Sequence, residues 1–165
     1  MKHKVVSLII SIVLIIGVSA ALDFFGEDGP GAPYQDAELH GPYTVTRVVD
    51  GDTFIVDISG EKTRVRMIGI DTAESVQDNP ERITTEGQIA SNYTKSLLTG
   101  AEVFLEFDEE QFDKFGRTLA YVYIEGDDGY VFINELLLRE GLADLMTIAP
   151  NTKYHDLLKE AFVGE

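Results

Sequence analysis

Three strand-like runs, separated only by tight turns, constrain the fold of this 165-residue chain more than any other feature. The first run, residues 43–49, alternates and ends at Asp50-Gly51, a dipeptide typical of hairpin turns. Thr53–Ile58 forms the second run, Ser59-Gly60-Glu61 turns the chain again, and Thr63–Ile70 forms the third. Runs joined by such short turns pair with their sequence neighbours, so the sequence predicts an antiparallel meander.

Alternation also predicts which side chains share a face of a strand. In the first run, Val45 and Arg47 are expected on one face, and Thr46 and Val48 on the other.

Two later runs predict further strands. Glu102–Phe107 alternates, which predicts Val103, Leu105 and Phe107 inward and Glu106 on the other side. Thr118–Ile124 predicts another strand, and its turn is expected at residues 126–129.

A helix is predicted after the third strand. Thr85 and Gln88 form a capping-box pair, and Gly100 is a plausible end. Apolar residues recur at four-residue spacing on one predicted face: Ile89, Tyr93 and Leu97. Further helices are predicted at about 133–140, ending at Gly141, and at 152–162.

These elements predict an α+β, mainly β fold. Five β-segments with a helix inserted after the third suggest a five-stranded OB-type Greek-key barrel with about three helices. An N-terminal hydrophobic helix is expected to precede it, and the folded domain is expected to cover residues 42–165.

Residues 1–22 are set apart by composition. Lys2 and Lys4 precede an apolar run from Val5 to Leu22, and Val18-Ser19-Ala20 resembles a signal-peptidase site. The segment is either a signal peptide or an uncleaved membrane anchor, and both predict an extracytoplasmic protein, secreted or held at the outer face of the membrane. Residues 23–41 are rich in glycine, proline and acid, which predicts a flexible linker.

The chain carries a formal net charge of −16, from 29 acidic and 13 basic residues. This balance argues against a nucleic-acid partner, because phosphate neutralisation supplies most of the affinity in such complexes. Two features could overcome it: a bound metal ion, or a basic cluster that focuses the field locally. The acidity would also suit a high-salt environment. The absence of cysteine excludes disulfides, thiolate zinc sites and cysteine nucleophiles.

Acidic residues at two strand ends are candidates for a metal site. Asp52 begins the second strand and Asp71 follows the third, so the meander should bring them together although 19 positions separate them. Two adjacent carboxylates repel each other unless a cation lies between them. Oxygen ligands of this kind favour a hard divalent ion, most plausibly calcium. The alternative for Asp50-Gly51-Asp52 is a purely structural turn.

Arginines are candidates for binding phosphate charge, since the guanidinium fork matches phosphate oxygens. Arg64 and Arg66 lie two residues apart and should share a face of the third strand, while Arg117 follows Gly116 at the start of a later strand. The alternatives are surface ion pairs, for Arg117 with Asp113.

Two groups of acidic residues and the histidines are expected to have no catalytic role. The acidic residues 108–110 and 127–128 are expected to be solvated loop charges, and His40 and His155 to be surface or structural residues. The chain shows no partners for a nucleophilic triad and no glycine-rich phosphate loop.

Four ordered motifs between residues 43 and 151 resemble the staphylococcal nuclease (thermonuclease) family. They are Asp50-Gly51-Asp52-Thr53, the Arg66 strand leading to Asp71-Thr72-Ala73-Glu74, Asp113-Lys114-Phe115-Gly116-Arg117, and the 133–143 segment. The resemblance implies an OB-type barrel and calcium-dependent cleavage of DNA and RNA with low sequence preference.

The resemblance also implies a role for each site residue. Asp52 and Asp71 would hold calcium through their carboxylates and Thr72 through its backbone carbonyl, while Glu74 would orient or deprotonate the attacking water. Arg66 and Arg117 would bind the phosphate and stabilise the transition state. Lys114, Arg64 and Tyr154 would contact the substrate, and the chain is expected to act as a monomer.

Three departures from the family pattern affect substrate binding. Ala73 replaces the usual proline, two nucleotide-packing tyrosines are absent from residues 145–151, and the third helix carries few basic residues. Tyr154 could supply the missing base stacking. The alternatives to an active nuclease are a non-catalytic module that binds nucleic acid or protein, and a calcium-binding surface domain.

Overall fold

A computed structural model describes residues 37–73, 84–127 and 129–163. The hydrophobic segment 1–22, most of the linker predicted at 23–41, and Glu74 lie outside the described residues. The described part contains eight strands and three helices. Their bounds are β1 His40–Asp50, β2 Thr53–Ile58, β3 Glu61–Met67, β4 Gly69–Asp71, α1 Thr85–Leu98, β5 Glu102–Glu106, β6 Thr118–Gly126, β7 Gly129–Phe132, α2 Ile133–Arg139, β8 Asp144–Met146 and α3 His155–Ala161.

The strands form a closed barrel of the predicted OB type. One sheet has the order β3-β2-β1-β5-β6-β7, and a parallel pairing of β3 with β6 closes five of these strands into the barrel. The predicted meander is present, since β1 pairs antiparallel with β2 and β2 with β3. Strands β7 and β8 were not predicted, and β1 begins at His40, inside the range predicted as linker.

A β-bulge in β1 overturns the face assignment predicted for this strand. Val45 pairs with Val56 and Arg47 with Ile55, so Thr46 is an extra residue in the ladder. Val45 and Val48 are consequently both buried, at 1% and 5% exposure, while Thr46 and Arg47 are both exposed. Simple alternation had placed Arg47 beside Val45, but an inserted residue reverses the faces beyond it.

The third predicted strand is divided into β3 and β4. The backbone N–H of Ile68 donates to Ala120 O in β6 (3.0 Å), and the following residues pair instead with β8. This change of partner turns the chain between β3 and β4, called the β3–β4 corner below. The end of β4 then lies beside the start of β2, where the Thr72 N–H donates to Asp52 Oδ2.

Helix α1 lies where it was predicted, but its cap and its buried face differ. Thr84, and not Thr85, is the N-cap, and its side chain accepts from the Gly87 N–H at 2.9 Å. Ile89 is 54% exposed. The buried face consists of smaller residues and one leucine: Gly87, Ala90, Ser91, Thr94 and Leu98. Small side chains let the helix approach the barrel closely, and Thr94 Oγ1 donates to Gly51 O at 2.7 Å.

Both faces of strand β5 are covered near its end. Val103 and Leu105 are buried as predicted, but Glu106, expected on the other side, is only 2% exposed. Its carboxylate accepts hydrogen bonds from the hydroxyls of Tyr123 (2.7 Å) and Tyr154 (3.0 Å) and pairs with the Lys153 ammonium. These donors replace water around the charge, which is why an acid is tolerated there.

The two C-terminal helices are short and pack on each other. Helix α2 lies within the predicted range and ends just before Gly141, whereas α3 is shorter than predicted because residues 152–154 precede it as a turn. The core around them is dominated by aromatic rings, with Tyr123 stacked on Phe132 at 4.9 Å. In the part of the chain described here, no helix is long and apolar enough to cross a membrane.

Candidate active site

A cleft of about 780 Å³ lies where the β1–β2 turn, the β3–β4 corner and the loop before β6 meet. It collects most of the polar residues that the sequence marked as candidates. Those that line it are Asp52, Arg64, Arg66, Asp71, Thr72, Lys114 and Arg117. The loop residues Glu110, Asp113 and Phe115 and the apolar Ile148 are among the other residues that line it.

Asp52 is buried in the floor of the cleft, with 6% exposure. Its Oδ1 accepts from Thr53 Oγ1 (2.8 Å), and its Oδ2 accepts from the backbone N–H (2.8 Å) and hydroxyl (3.1 Å) of Thr72. The contact requires glycine at position 51, because a Cβ there would lie 2.7 Å from Thr72 Oγ1. The Asp-Gly-Asp turn therefore fixes a carboxylate as well as reversing the chain.

Arg66 joins the two candidate metal-binding carboxylates. Its Nη1 donates to Met67 O (3.0 Å) and Ile70 O (2.8 Å) and lies 3.2 Å from Asp52 Oδ2. Its Nη2 donates to Asp71 Oδ1 at 2.7 Å. Asp52 and Asp71 thus reach one guanidinium, as their predicted proximity requires. The cation removes part of the repulsion that two neighbouring carboxylates would otherwise suffer.

Arg117 is oriented by Asp113 in the loop that precedes β6. The Arg117 Nε lies 2.6 Å from Asp113 Oδ2, and the backbone N–H groups of Arg117 and Phe115 donate to Asp113 Oδ1 at 2.9 Å. Burial opposes ionisation of Asp113, but these hydrogen bonds outweigh it, so the pKa of Asp113 is lowered from its usual value. The ion pair offered as an alternative role for Arg117 is present, and it leaves the Nη atoms without a hydrogen-bond partner among the described residues.

The three candidates for substrate contact lie in different surroundings. Arg64 and Lys114 are exposed and line the cleft, as a substrate-binding role requires. Tyr154 does not line it. Its side chain is 6% exposed and packs edge-on against Tyr121 (4.8 Å) and Phe132 (5.3 Å). The prediction that Tyr154 stacks on a base is therefore wrong for this structure, because the ring is part of the core.

A different aromatic residue is available in the cleft. Phe115 is 72% exposed, and both Lys114 Nζ (5.0 Å) and Arg117 Cζ (5.4 Å) lie over its ring. Cations in this position are attracted by the negative face of an aromatic ring. The interaction groups two positive charges and one apolar surface at the entrance to the cleft.

The oxygen ligands in the cleft fit a hard cation in kind. Asp52 and Asp71 supply carboxylates and Thr72 a backbone carbonyl, the ligand types that calcium prefers. Within the described ranges, no group of three or more histidine or acidic side chains could hold a metal ion. Glu74 lies outside those ranges, so its place in the cleft stays a prediction.

Several residues that position the site were not found from the sequence. Asn134 is fully buried, and its side chain accepts from Val122 N–H (2.9 Å) and donates to Ile68 O (2.8 Å), which ties α2 to the β3–β4 corner. Asn151 similarly joins the Glu110 backbone to the loop before α3. The role of Asn134 could have been inferred from the sequence, because an asparagine within the mostly apolar run 131–138 is unusual.

The prediction made for Asp108 was also wrong. It was expected to be a solvated loop charge, but its Oδ2 accepts from the Tyr121 hydroxyl (3.0 Å) and the Lys153 N–H (3.1 Å). It therefore helps to hold the segment before α3 against the barrel.

Known proteins resemble this chain over most of its length. A family model described as "Staphylococcal nuclease homologue" matches residues 64–162. The thermonuclease of Staphylococcus hyicus is 41% identical over 165 residues, covering 98% of this chain and 92% of that protein. The thermonuclease of Staphylococcus intermedius is 42% identical over 152 residues, covering 90% and 88%. The endonuclease YncB of Bacillus subtilis is 41% identical over 115 residues, covering 68% and 52%.

Proposed function

The chain belongs to the staphylococcal nuclease family and is a nuclease, and we propose that it hydrolyses phosphodiester bonds of DNA, RNA or both with calcium as cofactor. The observation that supports this most directly is the meeting of Asp52, Asp71, Arg66 and Arg117 in one cleft. A phosphodiester needs both signs of charge: oxygens that hold a cation, and guanidinium groups that take up phosphate charge. The cleft supplies both.

Calcium would be held by the Asp52 and Asp71 carboxylates and the Thr72 carbonyl. When bound, the ion supplies positive charge beside the phosphate and orients the attacking water. The strong hydrogen bonds to Asp52 keep its carboxylate in place, so this ligand need not be reoriented.

The two arginines would act on the phosphate from different starting points. Arg66 is buried and anchored by backbone carbonyls, whereas Arg117 lies on a loop, where its guanidinium is hydrogen-bonded through Nε and rests over the Phe115 ring. The Nη atoms of Arg117 can therefore approach phosphate oxygens while the pair with Asp113 stays intact. Positive charge placed where negative charge grows is the main source of stabilisation in such a transition state.

Glu74 would accept a proton from the attacking water or orient it. The assignment rests on its place three residues after Asp71 in the motif that the family shares. A carboxylate is a suitable general base when it lies within hydrogen-bond reach of the water.

Low sequence preference would follow from the chemistry of the cleft walls. The charged groups there are arginines, a lysine and carboxylates, which suit contacts to phosphate and metal. Contacts to phosphate fix position but carry no direct sequence information. Base contacts would be left to apolar groups such as Phe115.

We further propose that the protein acts outside the cytoplasm. The proposal rests on the basic start and apolar run of residues 1–22, which would act as a signal peptide or an anchor. Analysis of the mature N-terminus would distinguish the two. Cleavage near residue 20 indicates secretion, and an intact Met1 indicates an anchored protein.

The decisive experiment is cleavage of single-stranded DNA, duplex DNA and RNA by the protein, with calcium and with chelator, from low to molar salt. The proposal predicts cleavage that requires calcium and is lost with chelator. Cleavage that continues in chelator would overturn the calcium proposal. The salt series would show whether the acidity of the chain is an adaptation to high salt.

A further inference from the structure

The outer face of strands β1, β2 and β3 continues the cleft in rows of paired residues. Nearest the cleft, Thr53 pairs with Arg66, and in the next row Ile55 pairs with Arg64. Beyond them, Asp57 pairs with Lys62. Residues two apart on a strand share a face, so all three residues of β3 point outward from the barrel.

The bulge in β1 adds a further basic residue to this face. Because Thr46 is inserted in the ladder, Arg47 pairs with Ile55 and is exposed beside it. Without the insertion, Arg47 would point inward with Val45. A bulge re-aims side chains in this way, and here it places an arginine in the same row as Arg64. Adjacent strands are about 4.8 Å apart, so the two arginines start roughly 10 Å from each other.

Arg47, Lys62 and Arg64, called the basic stripe below, differ from most other cations of the described chain. All three are exposed, and none has a carboxylate partner within ion-pair distance among the described residues. Of the other described cations, Arg66, Arg117, Arg139 and Lys153 each pair with an acid. Lys95, Lys114 and Lys159 are also exposed without an acidic partner among the described residues, but they lie apart from one another on α1, the loop before β6 and α3, whereas the stripe residues share one sheet face. The acid closest in register, Asp57, is turned towards the β2–β3 turn, where it accepts from Gly60 N–H at 2.7 Å.

An unpaired group of cations is unexpected on a chain of net charge −16. The many acidic residues would repel a polyanion from most of the surface. Positive charge confined to one strip, in contrast, creates a local path that an anionic chain can follow. Because Arg64 also lines the cleft, this path begins at the candidate active site.

We propose that the basic stripe binds the phosphates of the nucleic-acid strand beyond the bond that is cut. The inference rests on the proposed nuclease function and extends it: the enzyme would prefer substrates long enough to leave the cleft and lie across β3, β2 and β1. Contacts of this kind are electrostatic, carry no sequence information, and weaken as salt rises. Ile55, half-buried between the two arginines, supplies an apolar surface in the same row.

The test compares a long and a short substrate in two double variants. The stripe variant, Arg47→Gln with Lys62→Gln, leaves every cleft residue unchanged. The matched control, Lys95→Gln with Lys159→Gln, removes the same charge from exposed positions on α1 and α3. The long substrate is an oligothymidylate of about 20 nucleotides, longer than the roughly 4–16 nucleotides that one OB fold covers. The short one is the dinucleotide TpT, which cannot reach the stripe from the cleft.

We expect the stripe variant to raise KM for the oligonucleotide by about 3- to 5-fold for each side chain removed, the size of a favourable exposed charge pair. The slope of log(kcat/KM) against log salt should become shallower by about 1.4, or about 0.7 for each lost phosphate contact on a single strand. The values of kcat/KM for TpT should match those of the unmodified protein. A third variant, Arg47→Lys alone, keeps the charge at this position. Its KM for the oligonucleotide should therefore stay close to that of the unmodified protein.

The inference is overturned if the stripe variant and the helix control have the same oligonucleotide KM and the same salt slope. It is also overturned if TpT and the oligonucleotide are affected equally, because the loss then lies in the cleft. If the unmodified protein cleaves neither substrate with calcium, the proposed function fails, and the inference fails with it. The proposed function survives the first two results and not the third.

Discussion

Among the buried carboxylates of the described residues, Asp52 and Glu106 each form a cluster with several hydrogen-bond donors, and only the Asp52 cluster faces the cleft. Asp52 and Glu106 are almost equally buried, at 6% and 2% exposure, and both have full sets of donors. The donors of Asp52 include Arg66, which also reaches Asp71 at the cleft wall, whereas Glu106 is enclosed by Tyr123, Tyr154 and Lys153. A buried carboxylate alone therefore does not identify an active site. Asp52 differs from Glu106 because its partner Arg66 also lines the cleft.

The largest expected effect is a loss of kcat when a cleft residue is removed. Arg117→Ala should lower kcat by about 10²- to 10³-fold, the usual cost of removing one group that stabilises transition-state charge. The Asp113 carboxylate keeps its two backbone donors in this variant, so the melting temperature should change little. Steady-state kinetics and thermal unfolding measure the two effects. Lys159→Ala, which removes an exposed charge from α3, should leave kcat unaltered, and an equal loss in both variants contradicts the role.

The second prediction concerns the Glu106 cluster, which does not face the cleft. Glu106→Ala should reduce the free energy of unfolding by about 2–4 kcal/mol, because it removes the buried carboxylate that accepts from two tyrosine hydroxyls and pairs with the half-exposed Lys153 ammonium. Below its melting temperature the variant should keep its kcat, since Glu106 does not line the cleft. Denaturant unfolding and kinetics at low temperature provide the measurements. A large fall in kcat with an intact fold would show that the two clusters are coupled.

A third, smaller effect separates Arg66 from its neighbour Arg64. Arg66 offsets the negative charge of Asp52 and Asp71. Arg66→Gln removes this positive charge, so the net charge at the two carboxylates becomes more negative and calcium should bind about 10-fold more tightly. Arg64→Gln removes the same charge from the cleft without touching either carboxylate, and should tighten it by about 2-fold at most. Calorimetric titration with calcium, without substrate, gives both values. Weaker calcium binding in a folded Arg66→Gln variant would contradict the counter-ion role.

The smallest effect is a dependence of stability on alkaline pH. Burial, followed by the hydrogen bond to Glu106, raises the pKa of the Tyr123 hydroxyl far above its usual value. A raised pKa in the folded protein gives stability that is complete below about pH 10, the usual tyrosine pKa, and is lost as the pH rises above it. The Lys153 ammonium has the same sign, because its hydrogen bond to Glu106 raises its pKa.

Thermal unfolding from pH 8 to pH 11 tests this dependence, and the melting temperature should fall at the alkaline end. Tyr123→Phe should lose about 1 kcal/mol of stability at neutral pH and show a flatter alkaline decline. A decline that is unchanged in this variant would assign the effect to another group.

The meander and the proximity of Asp52 and Asp71 could be predicted from the sequence, because both depend on short-range order. Tight turns fixed the sequence neighbours as strand partners, and β2 was predicted at its observed bounds. The proximity of Asp52 and Asp71 followed from the same meander, since β2 begins near the place where β4 ends. Predictions of this kind need only the direction of each strand and the position of each turn.

The residues that were misplaced depend on packing that no local pattern contains. Alternation could not reveal the extra residue Thr46, because a bulge is compatible with the same letters in another register. Apolar spacing placed Ile89 inward, although small residues allow α1 to approach the barrel on a different face. The burial of Glu106 and Tyr154 against each other was not predicted, since their contact joins residues 48 positions apart.

The anchoring of Arg66 has a consequence for the speed with which the cleft can respond to a substrate. Two backbone carbonyls hold Nη1, so the orientation of the guanidinium is fixed by the β3–β4 corner and not by the side chain's own rotamers. Preorganisation of this kind moves the entropic cost of ordering a long side chain from the binding step to the folding step. A lysine at this position could carry the charge but not the fork, and its ammonium would have to be ordered anew at every turnover.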